Sequence, residues 1–110
     1  MVDPTPAQTD MIRVELGERS YDILLGSAIL PEVSARVARQ LGMTHAVVIT
    51  DDNVETPHAI CVAESLSDVD VAVDLFVVDA GESSKSVQTA ERLWQQLLDA
   101  NTDRKSVVVA

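Results

Sequence analysis

The chain predicts an α/β fold, a parallel sheet preceded by a short β-hairpin. Three observations carry that prediction. Apolar runs at 46–50 and 71–78 read as strands covered on both faces. Helix-length segments with apolar residues three and four apart lie between and after them. Near the start, two short strand-like segments flank a polar turn. The 110 residues, 46% hydrophobic and 24% charged, suit a single globular domain.

The first ten residues, MVDPTPAQTD, have two prolines among polar neighbours and read as a disordered leader over 1–10. They lack the basic start and apolar centre of a signal peptide. From Met11 the segment MIRVEL alternates, with Met11, Arg13 and Glu15 on one side and Ile12, Val14 and Leu16 on the other. GERS is a turn cluster, and YDILLG reads as the second strand of a hairpin. In SAILPEVSARVARQLG the stripe Leu30, Val33, Val37 and Leu41 has helical spacing. Pro31 suits a first helical position and Gly42 a C-terminal cap.

AVVIT at 46–50 is the first buried strand, and a weaker helix starts near Pro57 and runs through Ile60, Ala63 and Leu66. VAVDLFVV at 71–78 is the second buried strand. The clearest helix follows, with Val87, Ala90, Leu93, Trp94, Leu97 and Leu98 on an apolar stripe and Gln88, Glu91, Gln95 and Asp99 facing water. Ser84 or Ser86 is placed to cap it. The closing VVVA has the residues of a central strand. Because a parallel strand needs cover on both faces, the chain reads as the N-terminal piece of something longer.

A net charge of −10 argues against a nucleic-acid or anionic-membrane surface, both of which need clustered Lys and Arg. The single cysteine, Cys61, forms no internal disulfide and reads as a small buried apolar residue of a cytoplasmic protein. No apolar run reaches membrane-spanning length. His45 opens a strand and His58 sits at a helix start, with no acids matched to them, so neither is assigned to a metal.

Chemistry is expected where strands end, because open parallel sheets bind ligands outside their carboxyl edge. Two loops lie there, TDDNV after the first buried strand and DAGESSKS after the second. Each has a carboxylate able to accept from ribose hydroxyls, followed by amide or hydroxyl groups. Gly81 permits close backbone approach, and Lys85 can pair with Glu82 or reach a phosphate. The same residue types are ordinary turn and cap chemistry, so the residues alone leave both meanings open. VVITDDN also looks like the acidic first strand of a phosphoacceptor receiver. There, however, the strand opens the domain, and the acid at phosphoacceptor distance, Asp99, lies on the wet side of a helix.

Taken in order and spacing, TDDNV, VVDAGESSKS, TAERLWQQLLDA and DRKSVVVA resemble the N-terminal domain of 3-dehydroquinate synthase, from about residue 11 to 110. The resemblance implies a Rossmann-like, NAD-binding domain over 11–110 that stops before the family's glycine-rich loop. It further implies that a C-terminal metal- and substrate-binding domain is absent from this chain. The parent enzyme would be a cytoplasmic, homodimeric lyase of aromatic amino-acid biosynthesis. It would turn 3-deoxy-D-arabino-heptulosonate 7-phosphate into 3-dehydroquinate and phosphate.

Carried over by position, Asp51 and Asn53 match residues at the adenosine end of NAD, Glu82 and Lys85 match the GE-x-x-K pair, and Gly81 holds the loop close. Ser84 and Ser86 are caps rather than ligands. No catalytic residue is expected here, and the family's divalent metal (Zn or Co) would have its ligands outside this chain. The 110 residues alone are therefore expected to be inactive and to bind NAD weakly or not at all. The alternatives are another sugar-phosphate cyclase, the front domain of a metal-dependent glycerol or alcohol dehydrogenase, or a non-catalytic ligand-binding module.

Overall fold

A computed structural model of the chain describes residues 9–110. The leader expected over 1–10 lies outside the described residues as far as residue 8. Thr9 and Asp10, by contrast, already pair in the first strand. That strand, β1 (Thr9–Val14), forms an antiparallel hairpin with β2 (Tyr21–Gly26), in a register that sets Ile12 opposite Ile23. The turn is a short 3-10 segment, Gly17–Arg19. Gly17 sits at φ +64°, and the Ser20 hydroxyl accepts from the Leu16 amide at 2.8 Å while donating to the Gly17 carbonyl. Neither face of the hairpin is buried: Met11, Ile12, Tyr21, Ile23 and Leu25 are all exposed.

The rest is a three-stranded parallel sheet in the order β4-β3-β5, made of β3 (His45–Asp51), β4 (Ala72–Val78) and β5 (Val107–Val109). Helix α1 (Leu30–Leu41) carries Pro31 in its first turn and ends on Gly42 in the left-handed conformation, φ 60° and ψ 41°. Helix α2 (Ile60–Ser67) is entered through one wide turn, Glu55–Ala59, that contains Pro57. Helix α3 (Val87–Asp99) is capped by Ser86, whose hydroxyl accepts from the Thr89 amide at 3.2 Å.

Burial explains why β3 is central. Ala46, Val47 and Val48 are at most 3% exposed, because paired strands flank them on both sides and helices cover both faces. Helices α1 and α2 pack together on one face, where Ala38, Met43, Ala46, Val48, Ala59, Leu66 and Val71 form the core. Helix α3 lies over the other face, where Leu93 lines one cavity together with Ile49 and Val78.

Two helix stripes are narrower than their spacing predicts. On α1 the buried line is Ser34 and Ala38, while Leu30, Val37 and Leu41 are more than a third exposed. On α3 the inner edge is Ala90, Leu93 and Leu97, and Val87, Trp94 and Leu98 lie 61–78% exposed. The sheet has three strands, too narrow a floor to cover the full width of either stripe. Cys61, expected to be buried, is half-buried, and β5, expected to be central, is an edge strand here with Val108 exposed.

At the amino edge of the sheet one side chain ties all three strands together. His45 Nε2 lies 2.8 Å from Asp74 Oδ2 on β4, and its Nδ1 lies 2.7 Å from the Ser106 hydroxyl just before β5. A carboxylate can only accept, so Nε2 carries the proton and, in the neutral ring, Nδ1 accepts from Ser106. His45 therefore does have a partner acid, in a structural clasp that was invisible before the strand register was known. Replacing it with leucine (His45→Leu) should cost about 1–3 kcal/mol, the net worth of two such bonds. The urea midpoint of the variant reads this directly, and an unchanged midpoint would mean that the clasp adds nothing to the fold.

Candidate functional site

Strands β3 and β4 end level, with Asp51 opposite Val78, so their following loops rise side by side from the carboxyl edge of the sheet. In the first loop Asp51 Oδ1 accepts from the Asn53 and Val54 amides at 2.9 and 3.1 Å. That closes a tight turn, the geometry an aspartate favours where a chain leaves a strand. Among the described residues Asp51 Oδ2 has no hydrogen-bond partner and remains available to a ligand. The second loop contains a short 3-10 turn, Glu82–Ser84, entered through Gly81 at φ 104° and ψ 172°. That conformation is essentially confined to glycine. The Ser84 hydroxyl donates back to the Asp79 carbonyl, which closes the loop on itself.

Between the loops lies a cavity of about 400 Å³. Asp51, Asp79, Gly81, Glu82, Ser84, Lys85 and Thr89 line its polar side, and Ile49, Val78 and Leu93 form its apolar floor. Four of the five residues singled out from sequence, Asp51, Gly81, Glu82 and Lys85, thus come together in one place. The fifth, Asn53, sits in the adjoining turn, exposed and outside the lining.

Lys85 Nζ and Glu82 Oε1 pair at 2.9 Å, with both side chains more than three-quarters exposed. An ion pair so exposed is worth at most about 1 kcal/mol, so an incoming ligand can separate it at little cost. Three carboxylates against one ammonium suit hydroxyl donors better than a phosphate. A ligand that offers hydroxyl donors, such as a ribose, fits these acceptors.

A second cavity of about 240 Å³ opens on the other side of β3. Leu30, Val48, Thr50, Val54, His58 and Val109 are among its mostly apolar walls. It lies where the chain order reverses across the sheet, between β3 and β5, the position at which open α/β sheets bind ligands. His58 reaches this wall rather than a metal cluster. Among the described residues no group of three His, Cys, Asp or Glu side chains could hold a metal ion. The residues present do not fit the divalent ion that the resemblance implies.

Reasoning from sequence missed Asp52. Its Oδ1 accepts from the Ala80 amide at 3.1 Å and so joins the two loops. The doubled aspartate was visible, but nothing in a linear string shows which of two neighbouring acids points across to the next strand's loop. Asp79, the acid that opens the second loop, and Thr89, which carried no separate signal, also line the cavity.

The chain has relatives among characterised proteins. Over 107 residues it is 32% identical to the 3-dehydroquinate synthase of Rhizobium leguminosarum bv. trifolii (strain WSM2304), a match that covers 97% of the chain. Over nearly its whole length the chain is similar to 3-dehydroquinate synthases. It is 36% identical over 99 residues to that of Nitrobacter hamburgensis and 35% over 99 to that of Ruegeria pomeroyi, each match covering 90% of the chain. It spans only 26–28% of the length of these three curated relatives.

Among solved structures it is similar in fold to 2-deoxy-scyllo-inosose synthase. Two such structures, one of them a complex with carbaglucose-6-phosphate, NAD+ and Co2+, superpose with TM-scores of 0.74 and 0.75. Both match 92% of this chain at 19% identity and 27–28% of the neighbour. The fold is accordingly the Rossmann-like sheet that the resemblance implied, with the leading hairpin expected from the residue pattern. No family model matches the chain.

No helix among the described residues is long and apolar enough to cross a membrane.

Proposed function

We propose that residues 11–110 form the dinucleotide-binding portion of a 3-dehydroquinate synthase, and that the cavity between the 51–54 and 79–85 loops receives the adenosine half of NAD. One observation carries the proposal: Asp51, Gly81, Glu82 and Lys85, scattered over two loops, line a single cavity at the carboxyl edge of the sheet. Asp51 Oδ2 and the Glu82 carboxylate accept from the ribose hydroxyls. Gly81 lets the ligand approach backbone. Lys85, released from Glu82, faces the nearer phosphate. Asn53 lies beside the entrance and offers its amide to the base.

When bound, NAD supplies a hydride acceptor that is restored within the turnover. The contribution of this chain is binding and orientation. The whole enzyme is proposed to convert 3-deoxy-D-arabino-heptulosonate 7-phosphate into 3-dehydroquinate and phosphate in aromatic amino-acid biosynthesis. As a cytoplasmic homodimeric lyase it would draw its divalent metal ligands from residues outside this chain, and the 110 residues alone are proposed to be catalytically silent.

A second reading, the front of another sugar-phosphate cyclase, has the fold of 2-deoxy-scyllo-inosose synthase in its favour. The 32–36% identity to the dehydroquinate synthases, against 19% to that cyclase, favours the first.

Titration of the isotope-labelled chain with NAD+ to millimolar concentration, followed by NMR, tests the site. Amide shifts should move at Asp51, Asn53, Gly81, Glu82 and Lys85. Glu82→Gln should weaken the interaction roughly tenfold, as expected for the loss of a charged hydrogen-bond acceptor. Shifts confined to the second cavity, or a Glu82→Gln variant that binds as the parent does, would sink the assignment.

A further inference from the structure

Asp52 occupies a position that neither the fold nor the proposed ligand contacts require. The ladder between β3 and β4 ends at the pair Asp51 and Val78. Beyond it the two loops are held mainly from within, the first by Asp51 and the second by Ser84. The Asp52 carboxylate reaches across to the Ala80 amide at 3.1 Å, over a sequence separation of 28. It is the one side-chain hydrogen bond between the two loops among the described residues, and in effect it adds a rung to the ladder.

Ala80 immediately precedes Gly81 and Glu82, so the bond fixes the point from which the cavity-lining part of the second loop departs. We infer that Asp52 is a positioning residue, a latch that sets the 79–85 loop against the 51–54 loop so that both can grip one ligand. The inference rests on the dinucleotide reading of that cavity. A ligand that must bond to both loops binds tighter when they are already in register, because less disorder is lost on binding. The latch touches no ligand itself, since Asp52 lies outside the lining of the cavity.

The test uses the 110-residue chain with Asp52→Ala and Asp52→Asn, two variants that remove the same charge. Only asparagine retains an acceptor for the Ala80 amide. In Asp52→Ala, hydrogen exchange at Ala80 should speed up and NAD+ affinity should fall about three- to tenfold, the fold-change for one exposed side-chain hydrogen bond. Asp52→Asn should restore both most of the way. Thermal midpoints should stay together across the three proteins, because the bond is exposed and lies outside the core.

Equal behaviour of the alanine and asparagine variants would reduce Asp52 to a surface charge and overturn the inference. Unaltered Ala80 exchange in Asp52→Ala would overturn it as well. Should NAD+ leave the parent chain unperturbed while Asp52→Ala still frees Ala80, the dinucleotide reading fails and the latch stands.

Discussion

Leu66→Ala is expected to lower the stability of the chain by about 2–5 kcal/mol, the range for removing a buried leucine side chain. Leu66 is 2% exposed and sits where α2 meets the sheet, within the cluster that includes Ala38, Met43, Ala46, Val48 and Val71. Its carbonyl also accepts from the Val69 and Val71 amides at 3.1 Å, so the same residue anchors the turn into β4. A domain of this size is stabilised by only about 5–15 kcal/mol, so the substitution removes a large share.

The loss should appear as a fall of roughly 10 °C or more in the melting temperature, at about 4–8 °C per kcal/mol. An open groove of about 170 Å³ already runs beside Leu66 between Leu30, Val37, Met43 and Val109. Partial collapse into it would hold the cost toward the lower end. Leu98→Ala is the control: that side chain is 70% exposed, and its removal should stay within about 0.5 kcal/mol. Equal effects of the two substitutions would mean that the core does not lie between α1, α2 and β3.

Gly81→Ala should cost about 1–3 kcal/mol by backbone strain alone. A Cβ added there would meet nothing within 4 Å, so crowding plays no part. The penalty comes from φ 104° with ψ 172°, a combination closed to residues that carry a Cβ. Gly42 provides the contrast, with φ 60° and ψ 41° in the left-handed helical well. Asparagine tolerates that well and recurs at helix C-termini, so Gly42→Asn should be nearly silent.

Gly81→Asn should be as damaging as Gly81→Ala, because its conformation lies outside that well. Denaturant midpoints for the three variants test the argument, and a harmless Gly81→Asn would refute it. Because Gly81 adjoins the Asp52 latch, the alanine variant should also raise amide exchange at Ala80.

Much of this architecture could be read from short-range chemistry. The apolar runs at 46–50 and 71–78, the Pro31 and Gly42 boundaries of α1, the Ser86 cap of α3 and the turn at GERS all reappear close to their expected positions. Each depends on residues within a few positions of one another: backbone dihedral preference, a local hydrogen bond, or periodicity matched to one kind of element. The two strand-end loops could be picked out for the same reason, since a carboxylate after a buried strand is a local pattern.

What escaped depends on pairs far apart in the chain. His45 finds Asp74 and Ser106 only because the parallel register sets three strand starts at one level. Asp52 rather than Asp51 crosses to the neighbouring loop, because Asp51 is already engaged in its own turn. The exposed sides of α1 and α3 were misjudged because apolar spacing measures how much a helix could bury. How much it does bury is set by the width of the sheet beneath it. Composition and local pattern thus determine the elements and their caps, while strand order and register decide which distant side chains meet, because those contacts exist only after the chain has closed on itself.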